Sequence, residues 1–245
     1  EPLIAWARGP VGTAGKWTLR WNGEAFDFKM RDDRQGTAFA LETRPAKPLV
    51  LQGANGFTRK GREPGAGSLY YSFTRLETRG ELSIAGKTWR VHGESWMDRE
   101  FSSSRLGEQQ AGWDWFSIQL LDGQEYMLYL LRRRDGTVDF RHATRVLPDG
   151  SPSYLPPGLW SVRSTENWTS PATGAVYPSR WIIRVLGSPS MELTPVIPAQ
   201  ENRSRLTGGL HYWEGAVTVR DMEGAFLGRG YVELTGYGKE SRPPV

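Results

Sequence analysis

The sequence predicts an all-β chain built as a succession of antiparallel hairpins, and three observations carry that prediction. Turn-forming dipeptides recur along the chain at Asn22-Gly23, Ala85-Gly86, Asp122-Gly123, Asp135-Gly136 and Asp149-Gly150. The stretches between them have strand length and strand alternation, with side chains two apart sharing a face. No segment repeats apolar residues at i, i+3, i+4 and i+7 over three turns, so helix content is expected to be low.

In chain order, residues 17–21 and 24–30 flank Asn22-Gly23, whose positive φ angles predict a type I′ hairpin turn. Irregular joins are expected at 31–36 and 53–67, with strands at 68–73, 81–84 and 88–96. The next three, 112–121, 124–132 and 137–146, are separated by Asp-Gly turns. Further strands are expected at 159–164, 180–185, 191–195, 210–219 and 225–234. Many short strands with regular turns point to a sandwich or an up-and-down barrel, and about eight strands from Gly112 onward suffice to close one small barrel around a single ligand. The polar stretch 102–110 is the expected linker, which divides the chain into domains at 1–107 and 108–245.

Composition narrows the function classes. At 24% charged and 38% hydrophobic, 245 residues make an ordinary globular chain with no apolar run long enough to span a bilayer as a helix. The 31 basic and 27 acidic residues are mixed, and the one dense basic run is Arg132-Arg133-Arg134, which excludes the basic stripe of a nucleic-acid binder. Zero cysteines exclude disulfides, thiolate metal sites and cysteine nucleophiles. His92, His142 and His211 stand far apart, so no helical metal motif exists. No Gly-x-Ser-x-Gly elbow, phosphate loop or dinucleotide fingerprint is present, and no cofactor is implied.

What remains is carboxylates among aromatics. His92, Glu94, Trp96, Asp98 and Glu100 fall on one face of an extended strand; Trp113, Trp115, Ser117 and Gln119 fall on one face of another. An acid among indoles is poorly solvated and holds its proton more tightly. Asp98 and Glu100 are therefore candidate catalytic acids, with His92, Trp96, Trp113 and Trp115 as candidate ligand contacts. Such an acid, with aromatic faces to steady a carbocation, suits addition of water to an alkene or cyclisation of a polyene. The bland alternative is that both carboxylates are solvated or paired with arginine. Asp114 lies on the apolar face and requires a partner, either as a second functional carboxylate or as a buried structural hydrogen-bonder. Trp213 and Glu214 repeat the aromatic-acid pattern near the C-terminus and join the candidate ligand contacts.

Six ordered stretches carry a family resemblance. They are Leu69-Tyr70-Tyr71-Ser72-Phe73-Thr74-Arg75-Leu76, Gly93-Glu94-Ser95-Trp96-Met97-Asp98-Arg99-Glu100-Phe101, Gly112-Trp113-Asp114-Trp115-Phe116, Tyr177-Pro178-Ser179-Arg180-Trp181, Tyr212-Trp213-Glu214-Gly215 and 230–237. In these the chain resembles the carotenoid 1,2-hydratase (hydroxyneurosporene synthase) family and its lipocalin-like AttH-type relatives. The resemblance implies two lipocalin-like antiparallel β-barrels in tandem, exported to the periplasm or outside the cell, with a membrane transporter complex as a partner. It puts the family's acid at Asp98 and adds Tyr70 and Tyr71 to the lumen walls. Arg99 and Phe101 depart from the family's Trp-x-Asp-His-Glu-Trp motif. The upstream Glu-Trp-Trp-Tyr segment is absent, so the first barrel is expected to lack its N-terminal strands.

Three functions follow as expectations. The first is binding of a hydrophobic small molecule, isoprenoid or lipid-like. The second is a cofactor-free hydratase or cyclase with Asp98 as proton donor. The third is a structural partner of a transporter with no ligand.

Overall fold

A computed structural model describes residues 3–8, 16–63, 65–102, 106–203 and 211–238. Its chain is all-β apart from one 3-10 turn at Pro157–Leu159. An eight-stranded antiparallel sheet is built from β1 (Leu3–Arg8), β2 (Lys16–Trp21), β3 (Phe26–Asp32), β4 (Thr37–Pro45), β5 (Val50–Leu51), β6 (Phe57–Arg59), β7 (Gly67–Ile84) and β8 (Lys87–Ser102). Its order is β1-β2-β3-β4-β7-β5, with β6 and β8 also pairing to β7.

The second sheet has ten strands: β9 (Gln110–Leu120), β10 (Glu125–Arg133), β11 (Val138–Val146), β12 (Pro152–Tyr154), β13 (Trp160–Thr169), β14 (Val176–Val185), β15 (Met191–Pro195), β16 (Glu201–Arg203), β17 (His211–Arg220) and β18 (Phe226–Leu234). The order is β12-β11-β10-β9-β18-β17-β15-β14-β13, with β16 on β17. The all-β reading holds, but closure does not: among the described residues both sheets are open, the second ending at β12 and β13. Closure needs a last strand to return to the first, and turn signals along a sequence carry no information about that pairing.

Two compact units emerge, each drawing on two separate stretches of the chain. One comprises Glu1–Leu49 with Ser72–Asp98, the other Val50–Tyr71 with Arg99–Val245. Of the expected linker at 102–110, residues 103–105 lie outside the described residues.

Strand parity makes the core of each unit. Along β7, Ser72, Thr74 and Leu76 are buried in the first unit, where Phe26 packs against Trp21 and Phe73 at ring separations of 4.5 and 5.4 Å. In the second unit Phe116, Ile118 and Leu120 project from β9 into a cluster with Leu128, Trp181, Trp213, Val217 and Val232. Phe116 meets Trp181 edge-on at 5.8 Å, and Trp181 meets Trp213 at 6.0 Å. Asp114 belongs to this inward face and has the partner its position requires. Arg132 Nε lies 2.7 Å from its carboxylate, and the Tyr237 hydroxyl donates at 2.9 Å. The Arg132 guanidinium also lies 3.8 Å from the centre of the Tyr237 ring.

Candidate functional site

The opposite face of the ten-stranded sheet is polar and aromatic. Odd-numbered residues of β9 point there, and cross-strand register extends them into a row. Glu214 on β17 stands opposite Glu233 on β18, Glu233 opposite Trp115, Trp115 opposite Tyr129 on β10, and Tyr129 opposite His142 on β11. Directly opposed side chains in antiparallel strands lie about 4.5–5.5 Å apart at Cβ, so the row is one contiguous surface. Trp113 Nε1 donates to Glu233 at 3.0 Å, and Trp115 Nε1 donates to the Tyr70 hydroxyl at 3.0 Å. The Tyr129 hydroxyl donates to the Arg59 carbonyl at 3.3 Å, so the strands carrying Arg59 and Tyr70 lie over this end of the row.

His142 is buried between the Tyr129 ring at 5.7 Å and the Tyr154 ring at 5.2 Å, with Nε2 3.0 Å from the Thr144 hydroxyl. Burial, reinforced by the nearby Lys60 charge, pulls its pKa down to about 4. At neutral pH the ring is uncharged and behaves as part of the aromatic wall. Burial also pushes up the Tyr129 phenol. At the other end of the row, burial and then Glu214 raise Tyr212 and Tyr231 to about 12. These phenols stay protonated and act as donors, as the 3.0 Å bond from Tyr212 to Glu214 illustrates. The surface thus offers flat apolar faces with a few fixed polar groups, the composition of a small-molecule site.

The sequence-predicted residues divide among several places. Tyr70, Trp113, Trp115 and Glu214 come together on the aromatic face. Trp213 is one residue out of phase with Glu214, so it points into the core, where its indole donates to the Pro198 carbonyl at 2.8 Å. Tyr71 lies on the side of β7 opposite Tyr70, 6.4 Å from the Phe101 ring. His92 is exposed.

Asp98 departs from the expectation of a dehydrated acid. It is exposed in the first unit, where one oxygen accepts both the Ser72 hydroxyl at 2.6 Å and the Trp96 indole N–H at 2.7 Å. Parity placed Trp96 beside it correctly, but a strand pattern does not say which face is covered. Burial raises the proton affinity of Asp114, with Arg132 opposing that rise. Glu100, in the second unit, pairs with Lys60 and accepts the Ser68 hydroxyl. Ser68 and the Thr58 hydroxyl are 2.8 Å apart. Glu100 is therefore linked to two buried hydroxyls, Ser68 and Thr58.

Tyr129, His142 and Tyr154 are the members that sequence reasoning missed. Tyr129 sits inside a continuous apolar run, Tyr126-Met127-Leu128-Tyr129-Leu130-Leu131, where no alternation marks a face. Register against Trp115 was the missing signal. Two open grooves lie elsewhere. One of about 480 Å³ in the first unit is lined by Asp27, Glu42, Arg79 and Arg90 among others, and one of about 470 Å³ in the second by Thr173, Glu201, Arg203 and His211. Neither is lined by a predicted site residue. Among the described residues no three histidine or carboxylate side chains converge as a metal site would require.

A family model described as AttH-like matches residues 4–237. Among solved structures, a candidate AttH from Nitrosomonas europaea is similar at 34% identity and a TM-score of 0.84, covering 91% of this chain and 68% of that one. Kievitone hydratase from Nectria haematococca shares the fold at 16% identity and a TM-score of 0.71, covering 94% of this chain and 71% of that one. No curated protein sequence matches the chain.

Proposed function

Because this chain belongs to the AttH-like family, we propose that it binds one hydrophobic small molecule, isoprenoid or lipid-like, against the aromatic face of its second unit. The row Glu233–Trp115–Tyr129–His142 carries the reading. Three of its side chains are rings, one of them a histidine kept neutral by burial, and Trp113 adds an indole beside Glu233. Flat rings supply contact area at low conformational cost, and the neighbouring phenols and carboxylates fix orientation. Export to the periplasm or the cell exterior belongs to the same proposal, as does association with a membrane transporter complex. A pull-down from membranes that recovers no permease removes that partner.

The binding reading is tested by titrating the protein with a fluorescent polyene or fatty-acid probe. Trp113→Ala and Trp115→Ala are each expected to weaken binding at least tenfold, the loss of about 1.4 kcal/mol or more of aromatic contact. Trp96→Ala is expected to leave affinity within twofold. Loss on Trp96→Ala alone would move the site to the first unit and reject this one.

A hydratase or cyclase is the second reading, favoured by the paired donors that hold Asp98 beside the Trp96 indole. The fold is also that of a protein named as a hydratase. Asp98 is then the proton donor to an isoprenoid-type double bond. Exposure of Asp98 puts binding first. Asp98→Asn is expected to leave probe affinity unchanged, whereas a hydratase loses turnover by roughly 10²–10⁴-fold with its general acid.

A further inference from the structure

The outward side of β6, β7 and the end of β8, within the second unit, is not part of the aromatic face. Thr58, Ser68 and Tyr70 point inward, so Phe57 and Leu69, which pair across the strands, point outward. Leu51, Phe57, Leu69 and Phe101 are 50%, 42%, 59% and 51% exposed. The Phe57 ring lies across Gly67, where an added Cβ would come within 2.5 Å of Cζ. Four large apolar side chains left about half in water on one strand cluster are a patch that calls for an occupant.

Cations outnumber free acids around the patch. The Arg99 guanidinium lies 5.0 Å from the Phe101 ring centre, cationic and at the edge of the apolar surface. Arg59 donates to the Gly61 and Arg62 carbonyls at 2.9 and 3.1 Å, which pins the 59–62 loop with Arg62 in it. Arg59, Arg62 and Arg99 enter no ion pair among the described residues. Glu63 is the exposed acid in this loop, and Glu100 is turned to the inner side by Lys60 and Ser68.

We propose that this face docks on an anionic lipid bilayer surface, with Leu51, Phe57, Leu69 and Phe101 entering the headgroup–acyl boundary and Arg59, Arg62 and Arg99 held at the phosphates. Partly exposed apolar side chains gain by leaving water, and each arginine near an anionic surface adds about fivefold in partitioning. A protein groove would match the apolar groups equally well, but the unpaired excess of cations favours a surface of distributed negative charge. The inference stands on this patch alone and is independent of the ligand reading.

Co-sedimentation of the full chain with large unilamellar vesicles tests it, comparing phosphatidylcholine alone with a 3:1 mixture of phosphatidylcholine and phosphatidylglycerol. Binding to the mixed vesicles is expected to exceed binding to the neutral ones at least tenfold at low salt, and to collapse in 0.5 M NaCl. The triple change Arg59→Gln, Arg62→Gln, Arg99→Gln is expected to reduce it to the neutral-vesicle level. Leu69→Ser with Phe101→Ser is expected to lower it at least tenfold at unchanged melting temperature. Equal binding to both vesicle types, no binding at low salt, or indifference to salt would overturn the proposal, with no need of a variant. A concentration-dependent dimer abolished by Leu69→Ser with Phe101→Ser would also overturn it, because the patch would then serve self-association.

Discussion

At Asp114, burial and a guanidinium pull the carboxyl in opposite directions, and the outcome is a locked structural pair. Arg132 lies 2.7 Å away, Tyr237 donates to both oxygens, and neither charged side chain reaches bulk water freely. Removing one member leaves the other buried and uncompensated. Arg132→Met is expected to cost about 3–5 kcal/mol in urea unfolding, and Asp114→Asn combined with it less than Arg132→Met alone. Alternation alone identified Asp114 as an acid on an apolar face. Its partner was not readable, because strand register rather than proximity in sequence brings Arg132 to it. His142 gives the pH dependence. Its pKa is depressed in the folded state, so protonation favours the unfolded chain. The stability tied to its neutral form is complete above about pH 6.5 and drains as pH falls toward 4. The full effect is roughly 3 kcal/mol at 1.36 kcal/mol per unit. Denaturation at pH 7, 5 and 4 should show this loss, and His142→Phe should flatten it. An unchanged acid slope in that variant would assign the loss elsewhere.

At the scale of elements, the hairpins were legible and their details were not. Asn22-Gly23 does mark a connection, yet the loop runs through four residues between Trp21 and Phe26 instead of a two-residue type I′ turn. Asn22 lacks the positive φ that type I′ demands, and its side chain accepts the Glu24 and Ala25 N–H groups instead. Ala85-Gly86, like Asn55-Gly56 between the bridged Ala54 and Phe57, is a turn where both central residues take positive φ, 49° and 78° against 51° and 91°. The join expected at 53–67 contains β6, whose three residues are too few for any alternation to register. Glycine divides these cases by geometry. Gly80 has φ 153°, and a Cβ there would stand 2.0 Å from the Ala40 carbonyl oxygen. Gly136 has φ 83° with nothing within 4 Å. Gly80→Ala is therefore expected to cost at least about 2 kcal/mol, and Gly136→Ala only about 1 kcal/mol, by urea denaturation. Equal losses would mean that β4 and β7 yield easily at their contact.

At the scale of the molecule, composition and turn spacing carried the all-β class. What they could not carry was assembly: the sheets stay open, and the compact units exchange segments at β5–β7 and β8. The same limit governs the site. Trp113 and Trp115 share a face by parity alone, so their association was legible. That the face continues through Tyr129 to His142 follows from register between strands far apart in sequence. Asp98 shows the converse, since a correct face assignment said nothing of its exposure. The claim on which the functional account turns is that ligand meets the indoles of β9. Fluorine NMR of protein labelled with 5-fluorotryptophan tests it, each resonance assigned by single Trp→Phe changes. On adding a polyene or fatty-acid ligand, the Trp113 and Trp115 resonances should shift while Trp96 stays in place. A shift at Trp96 with Trp113 and Trp115 unmoved would contradict the account.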